Sequence, residues 1–207
     1  MAKPIFVSRN KLFSPKLRGY YITLGDPKFF NSEDKLGGYS VSLTASPEEV
    51  DEWVTQMEAI AEELYIDWLD EAGKKKVQRR EPLIPIKDEV DRDGNETGNI
   101  LIKFNKKAHR KGSDDQLIPM PVKVVDCQGR ELSMEQKRAL GRGTLMAISF
   151  DAKAYYMSGV FGVSFGLRAA QVIEPVWREA DASTDFNDSK IEGFTIDDEV
   201  AETSDFS

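Results

Sequence analysis

The sequence predicts a mainly β domain, residues 1–178, with one long packed helix and a disordered acidic tail, residues 179–207. Three observations carry this. Apolar runs of strand length recur between turn signals; one segment alone has sustained helical periodicity; and the charge is divided unevenly. Of 28 Lys+Arg and 36 Asp+Glu, giving a net charge of −8, ten acids but only one base, Lys190, fall between Glu179 and Ser207.

The strand-length runs are Ile5 to Ser8, Gly19 to Leu24, Gly38 to Thr44, Ile100 to Asn105, Val122 to Asp126, Thr144 to Phe150 and Val160 to Glu174. Gly25-Asp26-Pro27, Asp93-Gly94-Asn95 and Gln128-Gly129 punctuate them, as an antiparallel β domain requires. The long helix spans about 47–72. Ser46-Pro47-Glu48-Glu49 supplies a capping box with proline at the first helical position, and Val50, Trp53, Met57, Ile60, Leu64 and Trp68 follow at three-to-four spacing. A shorter helix, Met134 to Leu140, is capped by Ser133 and Gln136 and stopped at Gly141. Residues 74–98, charged and proline-bearing, are expected to form a mobile loop with one hairpin turn. The tail is too polar and too charged to fold by itself.

A second acidic block, Glu48 to Glu71, holds ten acids and no base. Outside the two blocks 27 Lys+Arg face 16 Asp+Glu, so a low isoelectric point conceals a basic body with an acidic tail able to fold back on it. Such a tail competes with any polyanion the body binds. The lone cysteine, Cys127, excludes a disulfide framework and a thiolate metal cage, as in a reducing cytoplasm. No apolar run reaches the length of a signal-peptide core or a membrane span, so a soluble, unexported protein is expected.

Enzyme chemistry finds little support. The single histidine, His109, lies among Lys106, Lys107, Arg110 and Lys111, with no candidate acid or second ligand near it, and so makes a poor catalytic or metal-binding residue. Glu89-Val90-Asp91-Arg92-Asp93-Gly94 resembles the start of a calcium loop, yet Ile100 stands at the twelfth position, where a bidentate carboxylate is needed. Gly141-Arg142-Gly143 lacks the lysine or third glycine of a phosphate loop. Neither a metal nor a cofactor is implied.

Nucleic-acid binding has better support, because cations stand beside strand aromatics. Lys3 adjoins Phe6; Arg18 adjoins Tyr20 and Tyr21; Lys28 adjoins Phe29 and Phe30; Lys103, Lys106, Lys107 and Arg110 surround Phe104; and Lys153 adjoins Tyr155 and Tyr156. A single-strand groove needs this mixture, since cations follow the phosphates while aromatic faces stack on bases. Phe6, Tyr20 and Phe104 lie on apolar faces and read as core. Tyr21, Phe29, Phe30, Tyr155 and Tyr156 lie opposite those faces or in turns, and read as contact candidates.

Three segments, taken in order, carry a family resemblance: Val124-Val125-Asp126-Cys127-Gln128-Gly129; Gly141-Arg142-Gly143-Thr144-Leu145-Met146-Ala147-Ile148; and Gly162-Val163-Ser164-Phe165-Gly166-Leu167 with Gln171-Val172-Ile173. With Tyr155, with Met1-Ala2-Lys3 and Ile5-Phe6, and with Gly38 to Thr44 before a long helix, they resemble the replication single-stranded-DNA-binding proteins of short-tailed coliphages and related tailed phages. That resemblance implies an OB fold, a five-stranded antiparallel barrel with a packed helix. It implies DNA contacts at Lys3, Lys103 and Tyr155 or Tyr156. It also implies a tail, including Asp197, Asp198, Glu199, Glu202, Asp205 and Phe206, that docks the replication polymerase and helicase and shields the groove when DNA is absent. The chain departs from the pattern in three ways: Ser207 follows Phe206, helix 134–140 is inserted, and no tryptophan lies near Tyr155, which leaves tyrosine as the stacking residue.

The expected function is therefore coating of single-stranded DNA without sequence specificity during phage replication or recombination. It would operate in the cytoplasm of an infected bacterial host, without cofactor, catalysis or membrane contact, and a homodimer is left open. The alternative is an interaction or virion-associated protein whose basic body binds an acidic protein partner. Deleting Glu179 to Ser207 changes the formal charge from −8 to +1 and removes a tethered competitor of high effective concentration. The truncated chain should bind oligo-dT more tightly at low salt, measured by fluorescence anisotropy; equal or weaker binding would reject shielding.

Overall fold

A computed structural model describes residues 7–91 and 93–178. The elements in order are β1 (Ser8–Phe13), β2 (Leu17–Lys28), β3 (Gly38–Ala45), α1 (Pro47–Ala72), β4 (Gln78–Arg79), β5 (Ile86–Val90), β6 (Glu96–Lys107), β7 (His109–Lys111), β8 (Leu117–Pro119), β9 (Lys123–Val125), α2 (Met134–Ala139), β10 (Leu145–Met157) and β11 (Val160–Glu174). The domain is mainly β. Among the described residues nine strands share one sheet, and β7 with β8 forms a separate hairpin.

Antiparallel pairing joins β2 to β3 and β3 to β6. A parallel contact joins β6 to β11 at Phe104–Asn105 against Phe165–Gly166. The long β10–β11 hairpin follows, and β10 pairs back to β2 through Leu145 and Met146. The remaining strands are additions to this circuit: β1 beside β10, β5 beside β6, and β4 and β9 beside β11.

Both helices form where their caps place them. The Ser46 hydroxyl accepts from the Glu49 amide, Pro47 occupies the first turn, and Gly73, at φ +61°, ends α1 with its amide donating to Asp70. The α1 side chains Val50, Met57, Ala61, Leu64, Tyr65 and Trp68 are buried, and Trp53 and Ile60 pack half-buried beside them. In α2 the full capping box of Ser133 and Gln136 is made.

Two stretches differ from the sequence expectation. Residues 74–98, expected as a loop, contain β4, β5 and the start of β6. β4 is two polar residues long, and β5 mixes Lys87, Asp88 and Glu89 with only two apolar residues, so neither has an alternating signature. Ile5 and Phe6 of the expected run Ile5 to Ser8 lie outside the described residues, and the first described strand, Ser8–Phe13, runs on beyond it without a sequence signal. It is polar because it is an edge strand, bulged between Arg9 and Leu12, with Lys11 at φ +60°.

The core centres on Phe104, Phe150 and Phe165, whose ring centroids lie 5.1, 5.6 and 4.6 Å apart in pairs. Trp53 of α1 meets Phe150 and Phe165 edge-on at 6.1 and 5.9 Å, and its indole N–H donates to the Phe13 carbonyl at 2.9 Å. Trp53→Ala should therefore destabilise the domain by about 3 kcal/mol in urea unfolding. Trp53→Phe, which keeps the ring contacts and loses the hydrogen bond, should cost about 1 kcal/mol.

Candidate nucleic-acid interface

Strand alternation puts apolar side chains on one face of the sheet and polar ones on the other. On β6, Ile102 and Phe104 are buried while Lys103, Asn105 and Lys107 are exposed. On β3, Ser42 and Ser40 stand opposite Lys103 and Asn105. On β11, Val163, Phe165 and Leu167 point inward, leaving Gly162, Ser164, Gly166 and Arg168 on the outer face. β10 alternates the same way, with Phe150 and Ala152 buried and Lys153 and Tyr155 outside.

These outer faces line a groove of about 1090 Å³. Its cations are Lys28, Lys103, Lys106, Lys107, Lys153 and Arg168, against two acids, Asp34 and Asp151. The Lys106 ammonium donates to the Pro121 carbonyl at 2.7 Å; its pKa is held below the usual lysine value, first by burial and then by repulsion from Lys153. Crowded cations of this kind favour an incoming anion.

The segment between β2 and β3 forms the groove's aromatic rim. The Asn31 side chain accepts from the Glu33 and Asp34 amides, and Asp34 accepts from the amides of Phe30, Leu36 and Gly37, each at 3.1 Å. These bonds hold the Asp34 carboxyl below the usual carboxylate range. Gly37, at φ +56°, lets the Phe29 ring lie against its backbone, and Phe29 stacks on His109 with centroids 6.4 Å apart. Phe30 projects from this frame 92% exposed.

Small residues, Ser164 and Gly166, form the groove floor, and Gly162 continues the same row beyond it. A Cβ on Gly162 would collide with the Tyr155 hydroxyl, and one on Gly166 would lie 3.1 Å from the Lys153 Cε and Nζ. Both long side chains can therefore lie along the sheet. The Tyr155 hydroxyl accepts from Arg80 Nη1 at 3.4 Å.

The sequence candidates separate accordingly. Phe29, Phe30, Lys103, Lys106, Lys107 and Lys153 line the groove, and Tyr155 continues its floor two residues beyond Lys153. Tyr21, 59% exposed, lies on the same outer face opposite Ser42, with β3 between it and Lys103. Arg18 lies at the far end of β2, donating to the Gly143 carbonyl at 3.0 Å and facing Glu174 at 3.9 Å. Arg110 belongs to the separate β7–β8 hairpin. Tyr156 points to the opposite face from Tyr155, its ring 4.7 Å from Trp68 and 4.6 Å from Lys74 Nζ. Tyr20 and Phe104 are buried. Lys3, Phe6 and the tail positions Asp197, Asp198, Glu199, Glu202, Asp205 and Phe206 lie outside the described residues. Arg168 was missed, although the alternation through Gly162, Ser164 and Gly166 leads directly to it. Among the described residues no cluster of three metal-ligating side chains occurs, and no helix is long and apolar enough to cross a membrane.

No family model and no curated protein sequence matches the chain. Solved structures do match. The crystal structure of gp2.5, a single-stranded DNA-binding protein encoded by bacteriophage T7, superposes with a TM-score of 0.59 at 16% identity, covering 92% of this chain and 99% of that one. The chain has the fold of phage single-stranded-DNA-binding proteins. The single-stranded DNA-binding protein of bacteriophage Enc34 in complex with ssDNA gives a TM-score of 0.53 at 14% identity, covering 84% and 89%. Its C-terminally truncated form gives 0.52 at 13%, covering 83% and 86%.

Because the Asp34 pKa is depressed, its support of the rim is complete above the ordinary carboxylate pKa and is lost as pH falls through the lowered folded value. NMR titration should show the Phe30 and Gly37 amide shifts moving with a midpoint below that of a free aspartate. Asp34→Asn should remove the step; a midpoint at the ordinary value would contradict this account of the loop.

Proposed function

We propose that this protein binds single-stranded DNA along the groove, coating it without sequence preference during phage replication or recombination, and that it is not an enzyme. The observation that carries this reading is the placement of the six-cation groove. In the circuit β2–β3–β6–β11–β10, the groove lies on the outer face of the second and third strands, β3 and β6. It is flanked by the loop between the first and second strands and by the β10–β11 pair. An OB barrel of five strands binds oligonucleotides on that face and between those loops. We read the circuit as such a barrel, with β1, β4, β5 and β9 as additions. The fold neighbours, one of them in complex with ssDNA, support the same reading.

In this reading Lys28, Lys103, Lys106, Lys107, Lys153 and Arg168 follow the phosphates, and Phe29, Phe30, Tyr155 and Tyr21 stack on bases. The N-terminal Lys3 and the acidic tail are further parts of the proposal, the tail recruiting replication enzymes such as polymerase and helicase and closing the groove in the absence of DNA. The site of action is the infected host's cytoplasm, and a homodimer is compatible with it.

Competition between oligo-dT and matched duplex tests the class of ligand. Single strands should be preferred; a general basic surface would instead prefer the higher charge density of duplex. Lys103→Ala should lower the magnitude of the salt slope by about 0.7, whereas Tyr155→Ala should cost about 1–3 kcal/mol of binding with the slope unchanged. Tyr156→Ala should lower the melting temperature and leave the slope alone, because the ring packs on Trp68. A slope change for Tyr156→Ala, or none for Lys103→Ala, would reject this path for the strand.

A further inference from the structure

Asp151 stands on the outer face of β10, opposite Gly166 of β11, in a groove lined mainly by cations. It is only 8% exposed. Its Oδ1 accepts from Arg168 Nη1 at 3.0 Å and from the Lys11 amide at 3.2 Å, and its Oδ2 faces Lys153 Nζ at 3.7 Å. The Lys11 amide belongs to the bulge of β1, at φ +60°. One carboxylate thus holds the edge strand and two of the groove's cations.

Counting charge alone, an acid in a polyanion groove weakens binding, and neutralising it should help. Geometry argues the other way. A guanidinium presents five N–H donors in a rigid fork, so engagement of one Nη1 hydrogen leaves the rest free for a phosphate while their direction is set. A cation already held in its bound orientation loses less conformational entropy when the strand arrives. Lys153 is restrained in the same way: its stem crosses Gly166, and its head is drawn toward Oδ2.

We propose that Asp151 is a positioning residue for DNA binding, which aims Arg168 and Lys153 at the phosphate backbone. This rests on the reading of the groove as a single-strand site. Asp151→Asn keeps an oxygen for the Lys11 amide but gives up the charge that orients the cations. Binding of oligo-dT by the full chain, followed across a range of salt, should be about tenfold weaker for D151N, the equivalent of losing one charge-assisted contact. The salt slope should fall in magnitude by about 0.7, with little change in melting temperature. In an Arg168→Gln background the same substitution should cost clearly less than in the wild type, leaving only the part that runs through Lys153.

Equal or tighter binding by D151N, or fully additive effects in the double variant, would overturn the proposal. If D151N does not fold, Arg168→Lys serves instead. It keeps the charge and loses the fork, so a clear loss of affinity is expected and an unchanged affinity would overturn the proposal. Failure of the wild-type chain to prefer oligo-dT over duplex would reject the functional reading itself. Wild-type preference combined with tighter binding by D151N would reject only the role of Asp151.

Discussion

The contact among Phe104, Phe150 and Phe165 holds the register of β6, β10 and β11, and the outer face depends on that register. Phe165 stands beside Phe104 in the parallel pair, and Phe150 closes the cluster from β10. Because side chains alternate with a period of two, a one-residue slip in any of these strands would send its phenylalanine outward and its groove residue inward. Burying Lys103, Lys153 or Arg168 in an apolar core without a partner costs far more than a lost hydrogen bond. Each ring therefore stabilises the fold and, through the alternation, assigns a cation to the groove. Trp53 seals the cluster from the helix side, so α1 contributes to a site it does not touch.

The charges of α1 and of the groove have different roles. Three of the ten helix carboxylates engage the two strands at the ends of the sheet path: Glu63 and Asp67 face Arg9 of β1 at 3.3 and 2.9 Å, and Glu62 faces Arg79 of β4 at 2.7 Å. Exposed pairs of this kind contribute only about 0–1 kcal/mol each. Their effect is on specificity, since a charged, bulged edge is a poor template for pairing with another chain. In the groove, Lys28, Lys103, Lys106 and Lys107 form no ion pair among the described residues, while Lys153 and Arg168 share Asp151. Three acids of the helix thus pair with arginines at the sheet's margins, while the groove holds six cations against two acids.

Much of this was legible in the sequence. The Ser46 cap, the apolar stripe of α1, the Ser133 box and the long runs of β2, β3, β6, β10 and β11 all obey local rules, and the structure follows them. β1, β4 and β5 were illegible because edge and flanking strands bury little and so need no apolar alternation. For the candidate site, Lys103 and Lys153 were readable because each lies next to a buried neighbour in a clear alternation. Tyr155 and Tyr156 both stand beside Lys153 in the sequence, although adjacent strand residues face opposite sides and only one can lie on the groove face. Arg18 looked like its neighbours in sequence, but Gly143 and Glu174, distant along the chain, engage it. Asp151 was invisible for a related reason: its partners come from β1 and β11, brought together only by the fold.

The small residues of β11 complete the account. Glycine in a strand interior is unfavourable, by about 0.5–1 kcal/mol relative to alanine, because it orders more backbone and packs nothing. Here two of them, Gly162 and Gly166, occupy the outer face of one strand with Ser164 between, and each void is filled by a side chain from β10. Tyr155 covers the first and Lys153 the second. A larger residue at either place would lift those side chains off the sheet, and at Gly166 it would turn the groove's flat floor into a ridge. The cost to strand stability is local, and the neighbouring rows recover it: Val163 and Phe165, alternating with the glycines, are almost wholly buried. In the proposed function this floor has a direct use, because a single strand of DNA presents flat bases and a flexible backbone, which an aromatic face and an ammonium lying along the sheet would meet without reading sequence.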